Sequence, residues 1–510
     1  MKRFVNRFFL ILALSACFFN LNAQSETVLD RSTKPDYFYL TMDEVLDGTY
    51  LIPAPPQPGS ISFEIDEERY IWGKMMRNDT ARANLAIRDA DYTTVGVAKA
   101  LSQAFGCTIS ADNTPELFKL MDNMSGDVNY LCSLKAKNYY KRMRPFVLYD
   151  EPTLTPDDEI FLRDNGSYPS GHTIIAWANA LVLAEINPER QTEILQRGYD
   201  MGTSRVICGV HWQSDVDYGR VLATTIVARL HANEEFQKQL QLAKQEFATR
   251  HPSIKPTSTQ TLTEGQSQTV NDHRTQPNKY YLTTDEVLNG TLLLPEPPQP
   301  GSLAFKRDVA RYKWGKMMRN DTARANLAIR DANISTDDLA KHFSNAYGMA
   351  INADNTPELY KLLTNMRGDC SLCTRQAKKH YMRMRPFVLF NEPTLTPKDE
   401  KGLRTNGSYP SGHTVAAWTY ALVLAEINPA RQTEILQRGY DMGTSRVICG
   451  VHWQSDVDNG RILASTIVAR LHANAEFQQQ MEKAKKELSE IQNKANKKTK
   501  SSKKKVTVAK

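Results

Sequence analysis

No stretch of the 510 residues carries 18 consecutive apolar side chains, so the sequence contains no candidate for a helix that crosses a bilayer. Regular alternation of apolar and polar residues is nearly absent, which argues against a sheet with one buried face. Cysteine is scarce, with seven in the whole chain. Cys370-Ser-Leu-Cys373 is a CxxC without a second pair to complete a four-thiolate zinc site. Its spacing suggests a structural disulfide or plain buried thiols. No His/Asp/Glu cluster with metal-ligand spacing stands apart from the motifs below, so neither a metal nor a cofactor is expected. His231 and His472, each in Ala-Arg-Leu-His-Ala-Asn, lack polar company and read as structural.

The net charge of +7 sits at the ends. Lys2, Arg3 and Arg7 open the chain and eight lysines lie between Lys494 and Lys510, with no acidic residue beside either group. The body is therefore net acidic, and a surface for nucleic acid is not implied. At 41% hydrophobic residues the chain can bury a sizeable core.

The three N-terminal cations precede an apolar run from Phe8 to Phe19 and the small residue Ala23, the order of an export signal cleaved after residue 23. A periplasmic or secreted protein is expected. The alternative is an outer-membrane lipoprotein, since Leu14-Ser15-Ala16-Cys17 resembles a lipobox that would anchor the chain through Cys17.

Self-similarity organises the rest. Asn-Gly-Ser-Tyr-Pro-Ser-Gly-His-Thr stands at 165–173 and again at 406–414, Trp-Gly-Lys-Met-Met-Arg-Asn-Asp begins at 72 and at 314, and Arg190 to Asp217 is identical to Arg431 to Asp458. This is a tandem duplication of a whole domain, each copy expected to have its own core. The boundaries read as signal 1–23, first domain 24–250, linker 251–278, second domain 279–493 and a disordered Lys-rich tail 494–510. The two domains are expected to pack on each other as an intramolecular pseudo-dimer.

Helical spacing dominates within each copy. A helix begins at Thr114-Pro115, and another runs from Glu189 to Gly202. Residues 173–186 are apolar nearly all round, which describes a buried central helix. The fold class is all-α, two tandem helical bundles.

Three groups carry chemistry in the first copy. Lys137 and Arg144 lie seven apart in one helical segment that Pro145 stops, so both cations point one way. Ser170, Gly171 and His172 stand before the buried helix, where first-turn N–H groups and the helix dipole favour an anion. Arg205 is followed by His211 and, one helical turn on, Asp215, whose carboxylate can orient the imidazole and free its other nitrogen as nucleophile or base. The second copy repeats them as Lys378, Arg385, Ser411, Gly412, His413, Arg446, His452 and Asp456. Together these groups suit phosphate.

The pattern K-x6-RP, PSGH, SR-x5-H-x3-D resembles the type 2 phosphatidic acid phosphatase superfamily, which includes the vanadium haloperoxidases. The wider context Ala-Asn-Leu-Ala-Ile-Arg-Asp-Ala and Ser-Arg-Val-Ile-Cys-Gly-Val-His is similar to the bacterial class A non-specific acid phosphatases. The resemblance implies helical domains and hydrolysis of small phosphate monoesters. His211 would attack phosphorus to give a phosphohistidine, Asp215 would orient it, and His172 would be the protonated general acid. Lys137, Arg144, Ser170, Gly171 and Arg205 would hold the phosphoryl oxygens without a metal, most effectively at acid pH. A vanadium-dependent haloperoxidase, a phosphatase acting on lipid phosphates and a non-catalytic phosphate-binding protein are the alternatives.

Overall fold

The computed structural model describes residues 38–251 and 280–508, with side chains as far as residue 497. The expected signal peptide, Cys17 and nearly all of the expected linker lie outside the described residues. Within them there is no strand. The first repeat is built from α1 (Ile61–Met76), α2 (Thr80–Arg88), α3 (Thr94–Phe105), α4 (Pro115–Gly126), α5 (Cys132–Tyr140), α6 (Gly171–Ile186), α7 (Gln191–Cys208), α8 (Gln213–His231) and α9 (Glu234–Arg250). The second follows the same order with α10 (Leu303–Met317), α11 (Thr322–Arg330), α12 (Thr336–Tyr347), α13 (Pro357–Tyr381), α14 (Gly412–Ile427), α15 (Gln432–Cys449), α16 (Gln454–His472) and α17 (Ala475–Val508).

The sequence that is apolar on all sides becomes α6, buried along its length between α7 and α8. Ser170 caps it by accepting the Thr173 N–H. The crossing with α7 is close because Gly198 faces Ala180: a Cβ on Gly198 would lie 2.3 Å from the Ala180 Cβ. Gly439 and Ala421 meet in the same way, at 2.4 Å.

Several helix limits differ from the sequence reading. Gly202 does not end α7, which runs on to Cys208; Gly202 instead lets Thr173 and Arg220 pack closely, and the helix stops at Gly209, whose φ of +82° closes it in the left-handed region. Thr114 gives no side-chain cap to α4. The carboxylate of Glu246, from α9, accepts the first-turn N–H groups of Glu116 and Leu117 in its place. The Lys-rich segment expected to be disordered continues α17 as far as Val508. It contains neither Gly nor Pro, and lysine is a good helix former.

The separate cores expected for the two repeats form one connected apolar core, because α6 and α8 contact α14 and α16. Hydrogen bonds across the repeats come in reciprocal pairs. Gln191 Nε2 donates to the Glu286 carbonyl (2.8 Å) and Gln432 Nε2 to that of Glu44 (2.7 Å). Gln196 reaches Leu292 (2.6 Å) and Gln437 reaches Tyr50 (2.8 Å).

At the centre of this junction His231 and His472 stack, ring centroids 4.1 Å apart, and neither lacks polar company as the sequence suggested. His231 pairs with Glu185 at 2.7 Å and His472 with Glu426 at 3.0 Å, while Lys244 (2.7 Å) and Lys485 (3.0 Å) neutralise those two carboxylates. Glu185, His231 and His472 thus form a buried cluster that sequence spacing could not show, since each glutamate lies on a different helix from its histidine. The six cysteines within the described residues, Cys370 and Cys373 included, are free thiols.

The helix crossing is open to a direct test. Gly198→Ala should lower stability by about 1–3 kcal/mol through overpacking against Ala180. Gly402→Ala, in a short helix with open space at the Cβ position, should be neutral or stabilise by about 0.5–1 kcal/mol. Denaturant midpoints of the two variants would check the difference; equal effects would refute the close crossing.

Candidate active site

Chain segments far apart in sequence meet at the N-terminal end of α6. Lys137 lies in the last turn of α5, which ends at Lys141 with φ of 43°. Arg144 is therefore not on that helix; it sits in extended backbone ahead of Pro145. The two cations still converge: Lys137 Nζ donates to the Gly166 carbonyl (2.8 Å), and Arg144 donates through Nε to Leu162 and Asn165 (3.0 Å each) and through Nη1 to Val210 (2.9 Å). Burial and the neighbouring Arg144 push the Lys137 ammonium down from its ordinary value.

His211 precedes α8 and does not lie on its surface, because α8 begins after Trp212. Its Nδ1–H donates to Asp215 Oδ2 (3.1 Å), which leaves the Nε2 lone pair exposed to chemistry. That lone pair accepts from Arg144 Nη1 at 3.1 Å. Burial, then Arg144, hold the His211 pKa well below 6.5, so the ring is neutral. Burial opposes ionisation of Asp215, yet Arg142, His211 and the Trp212 N–H keep its carboxyl well below the ordinary range.

His172 stands in the first turn of α6 and donates its Nε2–H to the Ala90 carbonyl (3.1 Å), which makes Nδ1 the atom that gains and loses a proton. Burial, Arg205 and His211 push its pKa well below 6.5. The free site thus holds His172 neutral, unlike the protonated acid that the resemblance implies. Burial is the larger cause and the Arg205 charge the next, and an anion that pairs with Arg205 removes that second contribution.

Arg205 is fully buried, and its Nε and Nη2 have no hydrogen-bond partner. A guanidinium so placed, beside Arg144 and His172, is costly unless an anion completes it. Ser170 Oγ accepts from the Thr173 N–H (3.3 Å) and hydroxyl (2.9 Å), so its own proton is free to donate. The first-turn N–H groups of Gly171 and His172 have no acceptor within the helix and add to the positive field.

The second repeat reproduces this geometry. His452 Nδ1 meets Asp456 at 3.1 Å and Arg385 Nη1 meets His452 Nε2 at 3.1 Å. Lys378 donates to Gly407 (2.8 Å), His413 to Ala332 (3.0 Å), and Thr414 N–H to Ser411 Oγ (3.3 Å). Gly412 opens α14, and Arg446 is buried with its Nε unpartnered.

Three residues per repeat escaped the sequence reading. Arg142 bridges Asp215 Oδ1 (2.6 Å) and Asp66 Oδ2 (2.7 Å), and Arg383 does the same between Asp456 and Asp308. The signal was the first arginine of Arg142-Met143-Arg144, but its partner Asp66 lies 76 residues away. Asp89, from the Ile-Arg-Asp-Ala motif, accepts from Ser204 Oγ (2.7 Å) and pairs with Arg197; Ser204 is thereby committed to orienting α7 and does not serve as a phosphate donor.

Residues 127–237 and 361–480 each match the PAP2 superfamily. A non-specific acid phosphatase of Providencia stuartii is 52% identical over 219 residues, 43% of this chain and 88% of that protein. One of Salmonella typhimurium is 43% identical over 210 residues, 41% of this chain and 84% of the relative. An acid phosphatase of Zymomonas mobilis is 39% identical over 230 residues, 44% of this chain and 85% of the relative. Each relative therefore corresponds to about one repeat. With the helical architecture and two sets of motif residues gathered at the starts of α6 and α14, the chain belongs to the PAP2 superfamily, among the bacterial non-specific acid phosphatases, and carries their domain twice.

Proposed function

We propose that the chain is an exported acid phosphatase that hydrolyses phosphate monoesters at two sites through a phosphohistidine, without a metal. The observation that carries this reading is the buried guanidinium of Arg205, whose Nε and Nη2 lack acceptors, beside Arg144 and the α6 N-terminus. Such a buried, cation-rich site stabilises charge spread over three phosphoryl oxygens. The export part rests on the N-terminal cations and apolar run alone.

In the first step Nε2 of His211 forms a bond to phosphorus while the ester P–O bond breaks, and Arg144 turns from the imidazole to the phosphoryl oxygens. Asp215 holds the Nδ1–H and balances the positive ring. The departing alkoxide takes the proton from Nδ1 of His172. In the second step that nitrogen removes a proton from water, the hydroxide attacks phosphorus, the N–P bond breaks and phosphate leaves. The reciprocal contacts between the repeats support reading them as a fused pair, each site complete in its own repeat.

Because His172 is neutral in the free site, its proton must arrive with the substrate. Binding of phosphate or vanadate should therefore take up protons near neutral pH, measured by calorimetry in buffers of differing ionisation enthalpy, and kcat/KM should fall as pH rises. Binding without proton uptake would contradict this sequence of events. Phosphate release should persist in excess chelator; loss in chelator with recovery on adding a divalent ion would overturn the metal-free mechanism.

His211→Ala and His452→Ala should each leave a substantial share of turnover, and the double variant should lose at least about a thousandfold. A single variant already inactive would show that the second repeat is idle or coupled to the first.

A further inference from the structure

The repeats diverge where they wall the site beside His172 and His413. In the first, residues Asp127–Leu131 form a π turn between α4 and α5, whereas the matching stretch of the second lies inside the unbroken α13. Val128, Asn129 and Tyr130 stand where the second repeat has only Cys370 and Ser371, and a single inserted residue wound as a π turn commonly accompanies a functional site. The insertion brings Asn129 Oδ1 to 3.1 Å from the Cβ position of Gly171; at Gly412 the nearest atom is Thr374 Oγ1, at 3.7 Å.

Two substitutions accompany it. Tyr92, 51% exposed, presents its ring edge-on to His172 with centroids 5.1 Å apart, and its counterpart is Ile334. Ser125 has as its counterpart Arg367, which is buried. Arg367 Nε donates to the Ile334 carbonyl (2.7 Å) and Nη1 to Ser371 Oγ (3.1 Å). Its guanidinium is thereby fastened two residues from Ala332, whose carbonyl accepts from His413 (3.0 Å). Burial, Arg446 and His452 push the His413 pKa down, and Arg367 adds to them. The general acid of one repeat thus stands against an aromatic ring, and that of the other beside an additional cation.

We propose that the two sites sort esters by leaving group: the first takes aromatic leaving groups against Tyr92, and the second takes leaving groups that carry a negative charge, drawn by Arg367. This deepens the phosphatase reading and rests on it. A ring stacked on exposed tyrosine and a charge attracted in a poorly screened site each correspond to a preference of about fivefold or more.

Binding tests the sorting apart from catalysis. Arg446→Ala and Arg205→Ala each leave one anion site. Dissociation constants are measured on both proteins for phenylphosphonate and 3-phosphonopropionate, whose P–C bonds are not hydrolysed. The ratio of the two constants should differ at least about fivefold between the proteins. Tyr92→Ile in the first and Arg367→Ser in the second should each bring the ratio back toward the other. Equal ratios in both proteins would overturn the proposal. Selective binding without turnover of any ester by either protein would instead sink the phosphatase reading while leaving the sorting intact. Should either arginine variant fail to fold, Tyr92→Ile and Arg367→Ser in the otherwise unaltered chain give the same answer: each should weaken one phosphonate and spare the other, and equal weakening of both by either change refutes the idea.

Discussion

Asp215 accepts hydrogen bonds from Arg142 Nη1 (2.6 Å), His211 Nδ1 (3.1 Å) and the Trp212 N–H (2.9 Å), and its own carbonyl accepts the Ser170 N–H (2.9 Å). This buried residue joins His211, the start of α8 and the loop that opens α6. Arg142 ties it in turn to Asp66 on α1. A buried carboxylate is tolerable only with such full pairing, and removing Arg142 would leave two acids uncompensated in the interior. Asp456 holds the second site through the equivalent contacts of Arg383, His452, Trp453 and Ser411. The geometry of each candidate site and the packing of four chain segments therefore depend on one carboxylate per repeat.

Charge is distributed unevenly around that anchor. Arg142 is neutralised twice over, whereas Arg144 is held mainly by backbone carbonyls and Arg205 has donors left without acceptors. Carbonyl dipoles can position a guanidinium without cancelling its charge. Burial first, and then the excess cation, keep His172 and His211 neutral in the free site, and the unmatched donors suit an anion.

The junction of the repeats shows what duplication has done to a shared surface. His231 and His472 stack where the two halves meet, and each keeps its own glutamate and lysine. The order of the helices and the motif loops agree between the halves, while Asn129, Tyr92 and Arg367 break the symmetry beside His172 and His413. The motif residues are the same in both repeats, and these three differences lie beside them.

The amino-acid sequence by itself determined the duplication, the all-helical class, the buried central helix and the motif residues, because identity between copies, a period near 3.6 and first-turn signals such as Pro-Ser-Gly-His are local properties. It misread the placement of Arg144 and His211, which lie off the ends of helices and not on their faces, since a run of favourable spacing does not reveal where backbone leaves the helix. Only the tertiary structure decided that Arg142 pairs with Asp66 and Asp215, 76 and 73 residues away, and that His231 finds Glu185 and stacks on His472 of the other repeat. Those partners are chosen by how remote helices pack. The reason is burial: a charge in the interior must find its counter-charge in space, and spacing along the chain does not say where that will be.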